Sequence, residues 1–188
     1  FELATLSVEI SLARTNYIER LSKKMEQPLL LKTNKSFNLN KPLSFLFNSG
    51  WTREINYLDQ EIIYRFLKKN INNFTKAKHL NYGPHKATID FFLGNQTENR
   101  FSRGEQKSLS IMFWVAQVLI LIDAGVVPVV LIDDVSSELD KQKTSLILDC
   151  LLGLGVQVFL TDIGKNPLTV DKKKSNSYKI NGGVIEEF

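Results

Sequence analysis

The 188 residues are 43% hydrophobic, 23% charged and 10% aromatic, a globular composition that excludes a disordered or fibrous chain. A single cysteine, Cys150, and two histidines, His79 and His85, exclude an intramolecular disulfide, a multi-cysteine zinc site and a histidine-rich metal centre. The net charge of +4 is uneven: residues 1–100 carry +6 and residues 101–188 carry −2, which points to a polyanionic partner for the first part and metal or phosphate chemistry for the second, or simply to a lysine-rich solvated surface.

The opening Phe1-Glu2-Leu3 has no Met, no basic region and no apolar leader, so a fragment without a signal peptide is expected. The longest apolar run, residues 125–132, is under half a membrane span. With the lone thiol, this predicts a cytoplasmic chain with no membrane partner.

Residues 3–25 read as an amphipathic helix with the stripe Leu3, Leu6, Ile10, Ala13, Tyr17 and Leu21, ended by Pro28. Leu43-Ser44-Phe45-Leu46-Phe47 is a short strand closed by a turn at Asn48-Ser49-Gly50. A second helix is expected over about 52–70, with Ile55, Leu58, Ile62 and Phe66 inward and a break at Asn70. After Gly83-Pro84, residues 87–93 are strand-like and Gly94-Asn95 is a turn. A long apolar helix follows over about 105–123. Val129-Val130-Leu131-Ile132 reads as a strand buried on both faces of a parallel sheet. A helix over 140–152, a strand over 156–161 and a hairpin around Asn181-Gly182-Gly183 complete an α/β second half. Lys172-Lys173-Lys174-Ser175-Asn176-Ser177 is read as a surface loop.

Three segments carry chemistry. A buried strand ending in Asp133-Asp134 puts carboxylates at the carboxyl edge of a sheet, where open α/β folds bind ligands. Four apolar residues followed by Asp is the Walker B pattern, whose aspartate holds Mg²⁺ through water beside nucleotide phosphates. Asp134, one residue on, is placed to orient or deprotonate an attacking water. Phe101-Ser102-Arg103-Gly104-Glu105-Gln106-Lys107 joins a hydroxyl, a close-approach glycine and a helix start, which together suit an anion. Ser136-Ser137-Glu138-Leu139-Asp140 opens the next helix. Each has a plainer reading as a helix cap, with Ser102 and Glu105 as a capping box.

In this order and spacing, signature, apolar helix, Walker B and a D-loop-like Ser-Glu-Leu-Asp resemble the C-terminal half of an ABC-type ATPase. Phe45-Leu46-Phe47-Asn48-Ser49-Gly50-Trp51 and Gly83-Pro84-His85-Lys86-Ala87-Thr88-Ile89-Asp90 narrow the resemblance to the RecF family of the SMC/RecN/RecF group. The resemblance implies an ATPase head interrupted by a helical arm, with ATP sandwiched between two heads of a homodimer on duplex or gapped DNA, and RecR and RecO as partners. Residues 1–82 would end the arm, and residues 83–188 would be the C-terminal lobe of the head, a mostly parallel sheet with flanking helices. Ser102 and Gly104, within the signature Ser102-Arg103-Gly104-Glu105-Gln106, would contact ATP held by the other subunit. Asp133 would serve Mg²⁺ and Asp134 catalysis. Ser137 and Asp140 would lie in the D-loop at the dimer interface, and Thr161 would occupy the position of the switch histidine.

Three departures stand out. Asp134 replaces the usual glutamate, the switch histidine is absent, and no G-x-x-x-x-G-K-[ST] P-loop occurs in the chain. The expectation is the C-terminal half of a slow ATPase. ATP and Mg²⁺ would be bound by the intact protein and neither by this half alone. Lys68, Lys69, Lys76, Lys78 and Lys86, interleaved with Phe66, Phe74 and Tyr82, are DNA-contact candidates or a solvated face over ordinary core aromatics. His85 is read as a packed turn residue. A non-catalytic DNA-binding or scaffolding module of the same fold is the rival reading.

Overall fold

The computed structural model describes residues 1–27, 41–135, 141–163 and 175–187. Contacts divide the chain into two compact units, Phe1–Val126 and Val127–Phe188.

The first unit opens with helix α1, Glu2–Met25. Its buried face differs from the expected stripe. Ala4, Ser7, Ser11, Leu21 and Met25 are buried, while Leu3, Leu6, Ile10 and Tyr17 are 37–47% exposed. Small side chains at the contact allow helices to approach closely, and Ser7 Oγ satisfies itself by donating to the Leu3 carbonyl at 2.7 Å. α1 packs on α2, Gln60–Lys69, and on α4, Arg103–Asp123. A 2.5 Å ion pair joins Lys24 to Asp123.

Helix α2 starts eight residues later than its apolar spacing predicts, at Gln60 rather than Thr52. Local bonds take the backbone elsewhere first. Asn56 Oδ1 accepts from Leu58 N–H at 3.2 Å, and the Asp59 carboxylate caps α2 by accepting from Ile62 N–H at 3.0 Å. Ile63 is fully buried and Ile55 and Phe66 pack against its cluster as expected, whereas Leu58 and Ile62 are 40% and 37% exposed. Ile63 clusters with Ala4 and Trp51. Asn70 breaks the helix as expected, and α3 follows over Ile71–Ala77.

Strands β1, Leu43–Asn48, β2, Thr88–Leu93, and β3, Gln96–Thr97, form an antiparallel sheet in that order. Phe45 pairs with Phe91 across β1 and β2. Phe91 meets Phe113 of α4 edge to face at 5.5 Å, which fastens the sheet to that helix.

The two loops flanking this sheet interlock at Gly50. Its φ is +80°, and a Cβ there would lie 2.2 Å from the Gly83 carbonyl oxygen and 2.7 Å from the Ala87 nitrogen. Gly83 N–H donates to the Gly50 carbonyl at 2.9 Å. Gly50→Ala is therefore expected to destabilise the chain by at least about 2 kcal/mol, through left-handed strain plus a backbone clash. Gly94→Ala is the control, since its φ is +57° but the nearest obstacle is the Lys41 side chain at 3.6 Å. Urea midpoints separate the two. Equal losses at both positions would mean that the clash at Gly50 is absent.

Helix α4 is long and apolar enough, by length and composition, to cross a membrane, with a mean hydropathy of 1.3. Ser108, Leu109, Met112, Val115, Ala116, Val118, Leu119 and Ile120 are buried, the condition of a core helix. Ser and Gln within it interrupt the apolar run, so run length alone did not find it.

In the second unit, β4, Val129–Ile132, and β5, Gln157–Leu160, are parallel, with Val130 opposite Val158 and Ile132 opposite Leu160. Helix α5, Lys141–Gly153, lies between them in sequence and buries Thr144, Ile147, Leu148 and Leu151. This is the β–α–β pattern of an α/β fold. The expectation that β4 is covered on both faces is not met within this unit. Val130 is 3% exposed, but Val129 is 57%, Leu131 73% and Phe159 55% exposed. Alternate side chains point to opposite faces, and nothing among the described residues of the unit covers the second face. Strands β6, Tyr178–Asn181, and β7, Val184–Glu187, form the expected hairpin. Its Gly182 and Gly183 both take positive φ, as a two-residue hairpin turn requires.

Candidate functional site

Strand β4 delivers Asp133 and Asp134 to its carboxyl end, and parallel β5 delivers Thr161 to the same edge. The three are bonded together. Thr161 Oγ1 donates to Asp133 Oδ1 at 2.5 Å and accepts from Asp134 N–H at 2.8 Å. Thr161 N–H donates to the Ile132 carbonyl at 2.9 Å, and its carbonyl accepts from Val135 N–H at 3.1 Å. Asp134 sits at φ +44°, in the left-handed region, which Asp tolerates better than most residues at a local cost. The sequence placed Thr161 at this edge but gave no sign that its hydroxyl would be shared between both aspartates.

Asp133 is exposed. No group of three or more His, Cys, Asp or Glu side chains capable of holding a metal occurs among the described residues. A closed protein cage for a cation is therefore not what these residues build. One carboxylate at a strand end fits Mg²⁺, which keeps several waters and takes its remaining ligands from phosphates.

In the first unit, Ser102 is the N-cap of α4. Ser102 Oγ accepts from Glu105 N–H at 3.2 Å, and Glu105 Oε2 accepts from Ser102 N–H at 2.7 Å, a complete capping box. Gly104 has open space where a Cβ would stand, so nothing packed against it within the chain demands glycine there. Arg103 and Gln106 are exposed beside it. Gln106 reaches back to the Phe101 carbonyl at 3.4 Å, and Phe101 is buried.

The Ser102 backbone N–H, and secondarily its hydroxyl, hold the Glu105 carboxyl below the usual glutamate range. A carboxyl whose folded pKa is lowered contributes its stabilisation above the unfolded value and loses it as pH falls through the folded one. The cap is therefore expected to be intact at neutral pH and to survive into acid below the ordinary glutamate range. The Ser102 amide resonance, followed by NMR against pH, checks this. An inflection at the ordinary glutamate value would contradict it, and Glu105→Gln should abolish the inflection.

Lys68 and Lys69 end α2, Lys76 lies in α3, Lys78 follows it at φ +59°, and Lys86 closes a 3-10 turn over Pro84–Lys86. All five are exposed. The interleaved aromatics are not laid out as a stacking surface. Phe66 meets Trp51 at 5.8 Å, Tyr82 at 5.6 Å and Phe74 at 6.4 Å, and Phe74 is buried. What this surface presents is charge. His85 is exposed within that turn, and its Nε2 lies 2.9 Å from the Leu80 carbonyl. With Arg14, Tyr17, Phe47 and Pro84 it lines an open cleft of about 570 Å³, and Arg14 donates to the Pro84 carbonyl. Ser137 and Asp140, the D-loop candidates, lie outside the described residues, as do Lys172, Lys173 and Lys174 of the lysine-rich 172–177 stretch.

No family model matches the chain. The DNA replication and repair protein RecF of Actinobacillus succinogenes is 31% identical over 190 residues, covering 98% of this chain and 49% of that protein. RecF of Haemophilus influenzae is 33% identical over 192 residues, again 98% of this chain and 49% of the relative. A solved structure of the recombination mediator protein RecF-ATPrS in the RecFOR pathway superposes with a TM-score of 0.75 at 25% identity, over 98% of this chain and 48% of that one. The RecF-ATP structure gives 0.74 at 22% identity over the whole chain. The chain belongs to the RecF family. It spans about half the length of the curated RecF relatives it matches. The α/β fold is that of the RecF structures, and the RecF likeness extends through both units.

Proposed function

We propose that this chain is the part of a RecF-type DNA-repair protein that carries the signature, Walker B and D-loop segments of an ATP-switched head. The observation that supports it most is the Asp133–Asp134 pair at the carboxyl end of a parallel strand, with both residues fixed by Thr161. Residues 1–82 are the end of a helical arm and 83–188 the returning lobe of the head, with the β1–β2 ladder as the join between them. ATP and Mg²⁺ bind the intact protein. Asp133 would hold Mg²⁺ through water, and the ion would offset charge on the phosphates. Asp134 orients the attacking water and takes its proton. Ser102 and Gly104 present a hydroxyl and an unobstructed backbone to the ATP of a second subunit, which makes dimerisation ATP-dependent. Arg103, Glu105 and Gln106 complete that signature, and Ser137 and Asp140 belong to the D-loop segment. Without a P-loop, this half alone neither hydrolyses ATP nor binds it tightly.

The intact protein acts in the cytoplasm on duplex DNA at gaps, and RecR and RecO are its partners in recombinational repair and replication restart. Relatives named for DNA replication and repair, and structures named for the RecFOR pathway, support this reading. A non-catalytic DNA-binding or scaffolding module of the same fold is the second reading. The complete capping box favours it, since it gives Ser102 and Glu105 a structural role without a nucleotide.

Fluorescence anisotropy with gapped duplex DNA tests the DNA-binding part. Neutralising about three or four phosphates predicts a slope of roughly −3 in log K against log salt. Replacing Lys68, Lys69, Lys76 and Lys78 with Ala should flatten that slope. A salt-insensitive affinity, or one that ignores the four substitutions, would remove the basic surface from DNA contact.

A further inference from the structure

We propose that Thr161 is a positioning residue that latches the two acidic residues in place, and that it does not act as a phosphate sensor. A threonine hydroxyl has one proton to give. Here that proton goes to Asp133 Oδ1 at 2.5 Å, the length of a charge-assisted O–H···O⁻ bond. The same oxygen accepts from Asp134 N–H at 2.8 Å. The backbone N–H and carbonyl of Thr161 bind the residues on either side of the pair, Ile132 and Val135. One residue of β5's end thus holds four consecutive residues of the neighbouring edge.

This arrangement has two consequences. A histidine at this position could present a ring N–H to a phosphate, whereas Thr161 could do so only by releasing Asp133. Asp134 is also kept at φ +44°, a conformation that persists only where its surroundings over-determine it. The bond from its N–H to Thr161 is part of that determination. The latch sets the direction of both carboxylates before any nucleotide arrives. Its catalytic meaning rests on the ATPase reading above, but its geometry does not.

The test uses Thr161→Val, which keeps the shape and deletes both hydroxyl bonds, and Thr161→Ser, which keeps the hydroxyl. In this chain, hydrogen exchange at the Asp134 amide should speed up about tenfold or more in the valine variant, the loss of one hydrogen bond to an opening equilibrium, and should be restored by serine. In the intact protein, the valine variant should need more Mg²⁺ for half-maximal hydrolysis while KM for ATP is unchanged. Unaltered Asp134 exchange in a folded valine variant overturns the proposal. So does a raised KM for ATP with exchange unaltered, which would mark a phosphate contact instead. Should valine prevent folding, serine still decides, because a hydroxyl latch requires it to exchange like the parent. An exchange effect in an intact protein with no ATPase activity would overturn the ATPase reading and leave the latch standing.

Discussion

Asp134→Asn in the intact protein is expected to slow ATP hydrolysis by about 10²–10⁴-fold, the usual cost of losing a general base. ATP binding and ATP-dependent dimerisation should persist. The substitution is well matched to the site. Asn has the same size as Asp and also tolerates the left-handed backbone that Asp134 adopts at φ +44°. Its backbone N–H still reaches Thr161 Oγ1, and Asp133 keeps its own bond to that hydroxyl. The change therefore removes a charge and a proton acceptor and leaves the loop where it was. Asp134→Ala would mix this loss with backbone strain of about 1–2 kcal/mol and would be harder to read. Single-turnover hydrolysis measures the chemical step, and light scattering with and without ATP measures dimerisation. Unchanged turnover in the asparagine variant would take Asp134 out of the catalytic role.

Local signals in the sequence were legible where chain-local physics decides the outcome. The capping box at Ser102 and Glu105 is such a case, because its partners lie three residues apart and the helix start needs them. The glycine pair of the last hairpin and the Asp pair after β4 are others. Periodicity was misleading where a helix has two apolar flanks. In α1 the larger residues Leu3, Leu6 and Ile10 make the obvious stripe, yet the close contact uses Ala4, Ser7 and Ser11. Side-chain size, which periodicity ignores, chose the face. The late start of α2 was hidden for a similar reason, since Asn56 and Asp59 compete for the backbone without disturbing the apolar spacing. The Thr161 bonds join residues 28 and 27 positions apart, so their existence depended on β4 and β5 being neighbours. The close fit of Gly50 against Gly83 was equally out of reach, because it arises only once the β1–β2 ladder sets the two loops side by side.

Ser102→Arg in the intact protein is expected to abolish ATP-dependent dimerisation and hydrolysis while leaving ATP binding by the monomer nearly unchanged. The reason lies in what surrounds Ser102. It is exposed at the start of α4, beside a glycine whose missing side chain faces open space. On the proposed composite site, a bulky cation there would fill the volume in which a partner's γ-phosphate would meet the helix N-terminus. If the site is composite, the defect is also directional. A heterodimer of this variant with one altered in its own P-loop should regain one working site, and up to about half of normal turnover if the two sites act independently. The capping role predicts a different outcome. Ser102 accepts from Glu105 N–H at 3.2 Å, and losing an N-cap costs about 1 kcal/mol. The variant would then melt slightly lower and still dimerise with ATP. Light scattering with and without ATP, together with a melting curve, distinguishes the two roles. An ATP-induced dimer that survives Ser102→Arg would reduce Ser102 to a cap, whereas a lost dimer with a nearly unchanged melting curve would place it against the partner's nucleotide.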